Sequence, residues 1–201
     1  MSAASPVRLV VAITGASGAI YGVRLLEVVR GLPGVESHLV VTKAGERTIV
    51  EETDRTPRDV RALAHAVHRP EDIGAPIASG SFATAGMIVA PCSIHTLSQI
   101  AYCLADTLVG RAADVTLKER RRLVLLVRET PLHRGHLAAM LAATEAGAIV
   151  MPPVPAFYTR PASLADVVDH TVGRALALVG LESGLVTPWT GGLGARERSG
   201  S

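Results

Sequence analysis

Aromatic side chains are scarce in this chain of 201 residues: two Phe, three Tyr and one Trp, 3% of the total. Proteins that hold nucleic acid by base stacking interleave aromatics with basic residues. The one dense basic run, Lys118 to Arg122 (KERRR), contains none, and the net charge is only +2, so nucleic acid is not an expected partner. Cysteine is equally rare. Cys92 and Cys103 both sit in apolar surroundings and are expected as core thiols, not as a disulfide framework. No apolar run approaches the roughly 20 residues that span a bilayer, so no membrane span is expected. The opening MSAASPVR leads straight into an apolar strand with no signal-type pattern, which reads as a cytoplasmic protein. His95 stands alone, and the pairs His65/His68 and His133/His136 have no convergent Cys or carboxylate set beside them, so no metal is expected.

Aliphatic residues are what the chain has in quantity. The 48% hydrophobic content comes mainly from Ala, Val, Leu and Ile, enough for one sizeable core. Apolar runs recur, each followed by a helical pattern: VRLVVAIT then AIYGVRLLEVVR, SHLVVT then KAGERTIVEET, GMIVAP then SIHTLSQIAYCLA. The later ones are RLVLLV then HLAAMLAATEAG, and AIVMPP then SLADVVDHTVGRALALVGLE. Strands that are apolar throughout, alternating with amphipathic helices, belong to a parallel sheet covered on both faces. The expected fold class is α/β: a three-layer αβα sandwich with a mainly parallel Rossmann/flavodoxin-like sheet. Residues 56 to 81 read as a helix plus a long loop before the third strand. Residues 1 to 182 are taken as a single domain. Residues 183 to 201, Gly-rich, polar and containing Trp189, are taken as a tail expected to be mobile.

In an open parallel sheet, ligands bind beyond the carboxyl ends of the strands. After the first strand comes TGASGAIYG. Gly15 and Gly18 permit a tight turn, and Ser17 offers a hydroxyl at a helix start whose amides attract anions; the alternative is a turn that merely connects strand to helix. The spacing is not G-x-G-x-x-G, and strand two ends at Thr42 instead of an acidic residue for the ribose of a dinucleotide, which counts against NAD. Thr42 with Lys43 suits a polyol or a phosphate, or simply caps a helix. After strand three, APCSIHT sets Ser93 and Thr96 around the next helix start, as a second anion nest or as a cap, with His95 inside the turn. Strand four ends in Arg128 and Glu129. The guanidinium needs a phosphate, a carboxylate or a salt bridge, and adjacent strand residues point to opposite faces, so the two charges serve different partners. The loop PPVPAFYTRP carries Phe157, Tyr158 and Arg160, which can close a pocket or plug the sheet edge. Arg174 lies in an apolar helical pattern, where a snorkelling arginine is the plain reading.

Four stretches, TGASGAIYG, APCSIHTLSQIA, RAADVTLKERRRLVLLVRETPLHRGHL and MPPVPAFYTRP, together resemble the flavin prenyltransferases (the UbiX family), within the wider group of flavin-containing cysteine decarboxylase-like folds. The likeness runs from about residue 8 to about residue 182. It implies a metal-independent transferase that moves a dimethylallyl group from dimethylallyl monophosphate to N5 and then C6 of reduced FMN, giving the prenylated flavin used by a partner decarboxylase. By motif position it implies that Gly15, Ala16, Ser17, Thr42, the turn of Ser93, Ile94, His95 and Thr96, and Arg128 hold FMN. It likewise implies that Arg111, Lys118, Glu129, Tyr158 and Arg174 surround the prenyl phosphate. Glu129 is the implied proton relay to the leaving phosphate, through Ser17, and Glu52 (from VEET) matches a glutamate linked to proton handling during ring closure. A homo-oligomer is also implied, commonly a dodecamer built of trimers with sites at subunit junctions.

Two positions depart from the family pattern. Thr42 stands where serine is common and keeps the hydroxyl, and His95 occupies a variable position that is often basic. Two other activities suit such a fold. One is oxidative decarboxylation of a peptidyl or pantothenoyl cysteine, whose enzymes carry a Pro-x-Met-Asn loop where this chain has PPVPAFYTRP. The other is a non-catalytic flavin-binding subunit of a hydroxyarylic acid decarboxylase, which has no need of Arg111, Lys118, Glu129, Tyr158 and Arg174 together.

Overall fold

A computed structural model describes residues 5–186; Trp189 and most of the Gly-rich tail lie outside the described residues. The apolar runs form β1 (Val7–Ile13), β2 (Val35–Val41), β3 (Ala66–His68), β4 (Gly86–Cys92), β5 (Arg122–Val127) and β6 (Ile149–Val150). The helices are α1 (Ala19–Arg30), α2 (Lys43–Glu52), α3 (Pro57–Arg61), α4 (Ile94–Ala101), α5 (Leu108–Lys118), α6 (Arg134–Glu145) and α7 (Leu164–Leu178). Single 3-10 turns occur at Pro76–Ala78 and Phe157–Thr159. Every strand pairing is parallel, in the order β3-β2-β1-β4-β5-β6. This is the doubly wound arrangement, so the α/β sandwich expected from the strand–helix alternation is the fold. The winding reverses between β1 and β4, which opens a crevice at their carboxyl ends.

Strand alternation sorts the core onto two faces. Leu9, Val11 and Ile13 of β1 pack with α1, α2, α3 and α7, whereas Val10 and Ala12 pack with α4, α5 and α6. In β4 the alternation breaks once. Val89 pairs with Leu125 but Cys92 with Val127, so β4 holds one extra residue there, and Cys92 faces the same layer as Met87 and Val89 despite its even number. Such bulges bend a strand end and re-aim its side chains. This one lies beside the crevice.

Three expectations need correction. Residues 56 to 81 contain not just a helix and a loop but the edge strand β3, whose three residues are too few for periodicity to show. The helix α5 arises where no helix is expected: its buried face mixes Leu108, Val109 and Val115 with Gly110, Ala112, Ala113 and Thr116, small residues that dilute the hydrophobic period. Cys92 is buried, and burial pushes its thiol pKa up. Cys103 is not a core thiol. It is exposed at φ 56, in the turn that leads the chain out to solvent after α4 ends at Ala101.

Candidate functional site

The crevice is stitched together by one buried hydroxyl. Thr14, the residue after β1, donates from Oγ1 to the Pro91 carbonyl (2.8 Å) and accepts at the same atom from the Ser93 amide (2.8 Å). The glycine loop and the start of α4 are therefore held in one register. Gly15 and Gly18 serve this loop in different ways. A Cβ on Gly15 would lie 2.3 Å from the Ala44 Cβ, so glycine here lets α2 close on the loop. Gly18 has φ 101, a left-handed conformation that side chains with a Cβ avoid.

Gly18 is the N-cap residue of α1, and it has no side chain to cap the helix. The cap comes from the last turn of α2. The Glu52 carboxylate accepts from the Gly18 amide at 2.7 Å and from the Ala19 amide at 3.0 Å. The anion drawn to the positive end of α1 is thus the chain's own carboxylate, next to Ser17. This brings together Glu52 and the glycine loop, which are far apart in sequence.

A cavity of about 620 Å³ opens at the strand ends, and Gly15, Thr42, Ser93, Ile94, His95, Thr96 and Glu129 all line it. Lys43, Ala44, Pro70, Glu71, Gln99, Asp106, Thr107 and Val109 complete the wall. Both capping readings hold: Thr42 Oγ1 accepts from the Gly45 amide (3.0 Å) and Ser93 Oγ from the Thr96 amide (3.2 Å). The same two caps fix the N-termini of α2 and α4 at the cavity, so capping and ligand binding are one arrangement rather than alternatives. The donor set fits a flavin mononucleotide. Two helix starts and Lys43 suit its phosphate, hydroxyls and carboxylates suit its polyol and ring N–H groups, Ile94 and Val109 supply apolar surface, and the volume is that of an ordinary cofactor site.

Arg128 and Glu129 lie just beyond the end of β5, in the connection to α6, so strand alternation is not what separates them. They diverge all the same. Glu129 lines the cavity, with Oε1 accepting from the Thr130 amide (3.0 Å). Arg128 acts on Tyr21 of α1, whose pKa is raised by burial against the opposing Arg128 charge. Tyr21 in turn packs within 3.0 Å of where a Gly18 Cβ would be, so Arg128 belongs to the glycine-loop side. Ala16 and Ser17 occupy the loop between Gly15, which lines the cavity, and Gly18; Ser17 is exposed.

One chain does not bring Arg111, Lys118, Tyr158 and Arg174 to this cavity. Helix α5 starts at the cavity with Thr107 and Val109 and runs back along the sheet, so Lys118 is about 16 Å away by helical rise. There it pairs with Glu119 (2.6 Å) beside Gly80. Arg111 pairs with Asp114 (2.8 Å) and shares a helix face with Lys118, seven residues on. Tyr158 sits in the 3-10 turn before α7, its hydroxyl 3.4 Å from His170 Nε2 with the rings edge to face. Arg174, exposed, follows one turn after His170. Of these cations, Arg111 and Lys118 thus stand on the outer side of α5, and Arg174 on that of α7.

Sequence reasoning gives no role to several residues at the cavity. Thr14, which stands behind the wall, reads as the last residue of an apolar strand; Gln99 falls inside APCSIHTLSQIA without being singled out, and Asp106 belongs to no motif. The Thr-Gly pair after a strand was a usable signal for Thr14. Nothing local marks Gln99, whose role depends on α4 turning back at Leu104.

The flavoprotein family profile matches residues 2–176. The flavin prenyltransferase UbiX of Escherichia coli K12 is 56% identical over 186 residues, covering 92% of this chain and 98% of that protein. The solved structure of AnUbiX (PadA1) with FMN and dimethylallyl pyrophosphate superposes with a TM-score of 0.90 at 52% identity, covering 92% of this chain and 98% of that one. A dodecameric FMN-dependent UbiX-like decarboxylase from Escherichia coli O157:H7 gives 0.88 at 51% identity, covering 92% and 100%. Cypemycin decarboxylase, at 18% identity and 0.63, shares the fold alone. A strand-end cavity built from the prenyltransferase motifs, and likeness of this degree over nearly the whole chain, lead to one conclusion: the chain belongs to the flavoprotein family and, within it, to the flavin prenyltransferases of the UbiX group.

Proposed function

We propose that this protein transfers a dimethylallyl group from dimethylallyl monophosphate to N5 and C6 of reduced FMN, and hands the product to a decarboxylase that depends on it. The observation that carries the reading is the cavity at the β1/β4 reversal, where Gly15, Thr42, Ser93 to Thr96 and Glu129 converge as the family motifs require. Reduced flavin supplies the nucleophilic ring atoms. The chain's own residues do the rest.

Ser93, Thr96, Thr42 and the amides they order bind and orient the nucleotide, with Arg128 completing its phosphate site from the glycine-loop side. Loss of the allylic oxygen leaves a phosphate whose charge fixed cations stabilise, the role of Arg111, Lys118 and Arg174. Glu129, facing the cavity, passes a proton to Ser17, whose hydroxyl hands it to that phosphate. Glu52, held on the Gly18 amide, is the carboxylate nearest the loop for the later proton removal. Alignment of the two reactants then supplies much of the rate.

Because the cations on α5 and α7 face away from their own cavity, they act on the sites of neighbouring copies. A dodecamer, as in the Escherichia coli O157:H7 relative, provides such neighbours. Free thiols at Cys92 and Cys103 suit a reducing, cytoplasmic setting. Incubating the purified protein anaerobically with reduced FMN and dimethylallyl monophosphate tests the activity. A flavin heavier by one prenyl unit is expected; bound FMN of unchanged mass would overturn the transferase reading.

A further inference from the structure

The cavity has two chemically different ends. Around Thr42, Lys43 and the Ser93 cap it presents helix N-termini and a cation, an environment for phosphate. Farther along α4 from that cap, and just before α5, stand Gln99 and Asp106; with Glu71, which also lines the cavity, they present acceptors. Only one of these groups is fixed by a buried partner. Gln99 is 7% exposed, and its Nε2 donates to Asp106 Oδ1 at 2.8 Å. Leaving a buried amide unpaired is costly, so this bond holds the carboxylate in one orientation. The backbone reinforces it: the Leu104 amide donates to the Gln99 carbonyl (2.8 Å), and the Leu108 amide to the Pro70 carbonyl (2.9 Å), which closes the loop carrying Asp106 between α4 and α5.

Among the described residues Asp106 makes no ion pair, and its one hydrogen bond is the one from Gln99. An ionised carboxylate accepts at both oxygens, so it retains capacity toward the cavity. Resting on the flavin reading above, we propose that Asp106, positioned by Gln99, accepts a hydrogen bond from the bound flavin nucleotide, from its ring imide N3–H or a ribityl hydroxyl, and so sets how far the nucleotide slides along the cavity. Asp106 is the contact and Gln99 the positioning residue. Glycine-loop and cap residues choose the phosphate; Asp106 fixes the other end.

The test measures FMN affinity by flavin fluorescence for wild type, Asp106→Ala, Asp106→Asn and Gln99→Leu, with circular dichroism to show that each is folded. Hydrogen bonds to charged groups predict a loss of about 10- to 100-fold for Asp106→Ala. A smaller loss is expected for Gln99→Leu, vanishing when Asp106 is already alanine. Three ligands locate the donor: FMN, N3-methyl-FMN and 2′-deoxy-FMN. One modified ligand should bind wild type about 10-fold more weakly than FMN yet bind Asp106→Ala as FMN does, which names the imide or the ribityl hydroxyl. Folded Asp106→Ala with wild-type affinity, or an equal penalty for both modifications in wild type and variant, overturns the contact. Wild type that takes up no FMN overturns the flavin reading itself, and this inference with it.

Discussion

The Glu52 carboxylate at the end of α2 accepts from the backbone amide of Gly18, 2.7 Å away, at the start of α1. A family-matched glutamate and the glycine loop are thereby joined by a bond that also caps a helix. Two substitutions separate the roles. Glu52→Ala leaves the Gly18 and Ala19 amides without that acceptor and is expected to destabilise the fold by about 1 kcal/mol, the usual cost of a lost cap. Glu52→Gln keeps an acceptor oxygen, so the melting temperature should hold while product formation slows at least tenfold. Equal turnover in Glu52→Gln and wild type would remove Glu52 from proton handling and leave it a cap.

Thr14 has no expected part in chemistry, yet it joins both sides of the crevice. Thr14→Val keeps the volume and the β-branch but leaves the Ser93 amide without its hydroxyl partner, while the Pro91 carbonyl keeps the Thr14 backbone amide (3.3 Å). An unpaired buried group costs about 1–3 kcal/mol. We expect a lower midpoint in urea, and weaker FMN binding, because the Ser93 turn then loses its anchor to the glycine loop. Thr14→Ser should restore both. Unchanged stability in Thr14→Val would mean that water replaces the hydroxyl.

How much of this was legible in the sequence follows the range of each interaction. The β1–α1 unit could be read directly because its signal is local: an apolar run, Gly18, then an amphipathic helix whose bounds match the expected 19–30. The cavity residues Gly15, Thr42, Ser93 and Glu129 were readable because a parallel sheet delivers every strand end to one edge. Glu52 needed the resemblance, since nothing in VEET says that α2 ends against α1. The separation of Lys118 from the cavity was hidden for another reason. A motif gives spacing along the chain, but the direction of α5 turns that spacing into distance from the site.

Glu129 and Arg128 diverge in the fold, so their substitutions should affect different measurements. Glu129→Gln is expected to lower prenyl transfer by about 100-fold, the usual scale for a general acid, with FMN affinity within twofold of wild type. Arg128→Ala should instead weaken FMN binding by about 10-fold or more through loss of a charged partner. If the two variants changed the same parameter to the same degree, the division of labour would be wrong.

Acid should loosen the β3 edge. His38, buried in β2, holds its Nδ1 3.0 Å from His68 Nε2 of β3, the rings stacked and Phe82 edge-on to His38. Burial lowers both pKa values; His68, Arg8 and His65 add to the effect at His38, while Glu36 opposes it there and Asp72 at His68. The unfolded chain protonates its histidines near pH 6.5, before the folded pair does. Stability is therefore unaffected well above pH 6.5 and falls as the pH drops below it, by up to about 1.4 kcal/mol per pH unit for each histidine that stays neutral, until the folded pKa is passed. Urea midpoints between pH 7.5 and 5.5 should fall less steeply for His38→Val/His68→Val than for wild type. Parallel slopes would exclude the pair.

The outward cations on α5 predict complementation between subunits. Lys118→Ala and Glu129→Gln chains are each expected to lose most transfer activity. If a neighbour supplies Lys118, a mixed oligomer of the two variants contains some sites with the Glu129 of a Lys118→Ala chain and the Lys118 of a Glu129→Gln chain. Random assembly of equal amounts makes about a quarter of the sites complete, because each site draws one independent contribution from each of two subunits. Denaturing and refolding the variants together should then recover about 25% of wild-type activity, whereas mixing them after separate assembly should recover none. Were Lys118 to serve the cavity of its own chain, every site in the mixture would lack one group, and co-assembly would restore nothing. Arg174→Ala paired with Glu129→Gln should behave in the same way, because α7 presents Arg174 on the outside of its own subunit just as α5 presents Lys118.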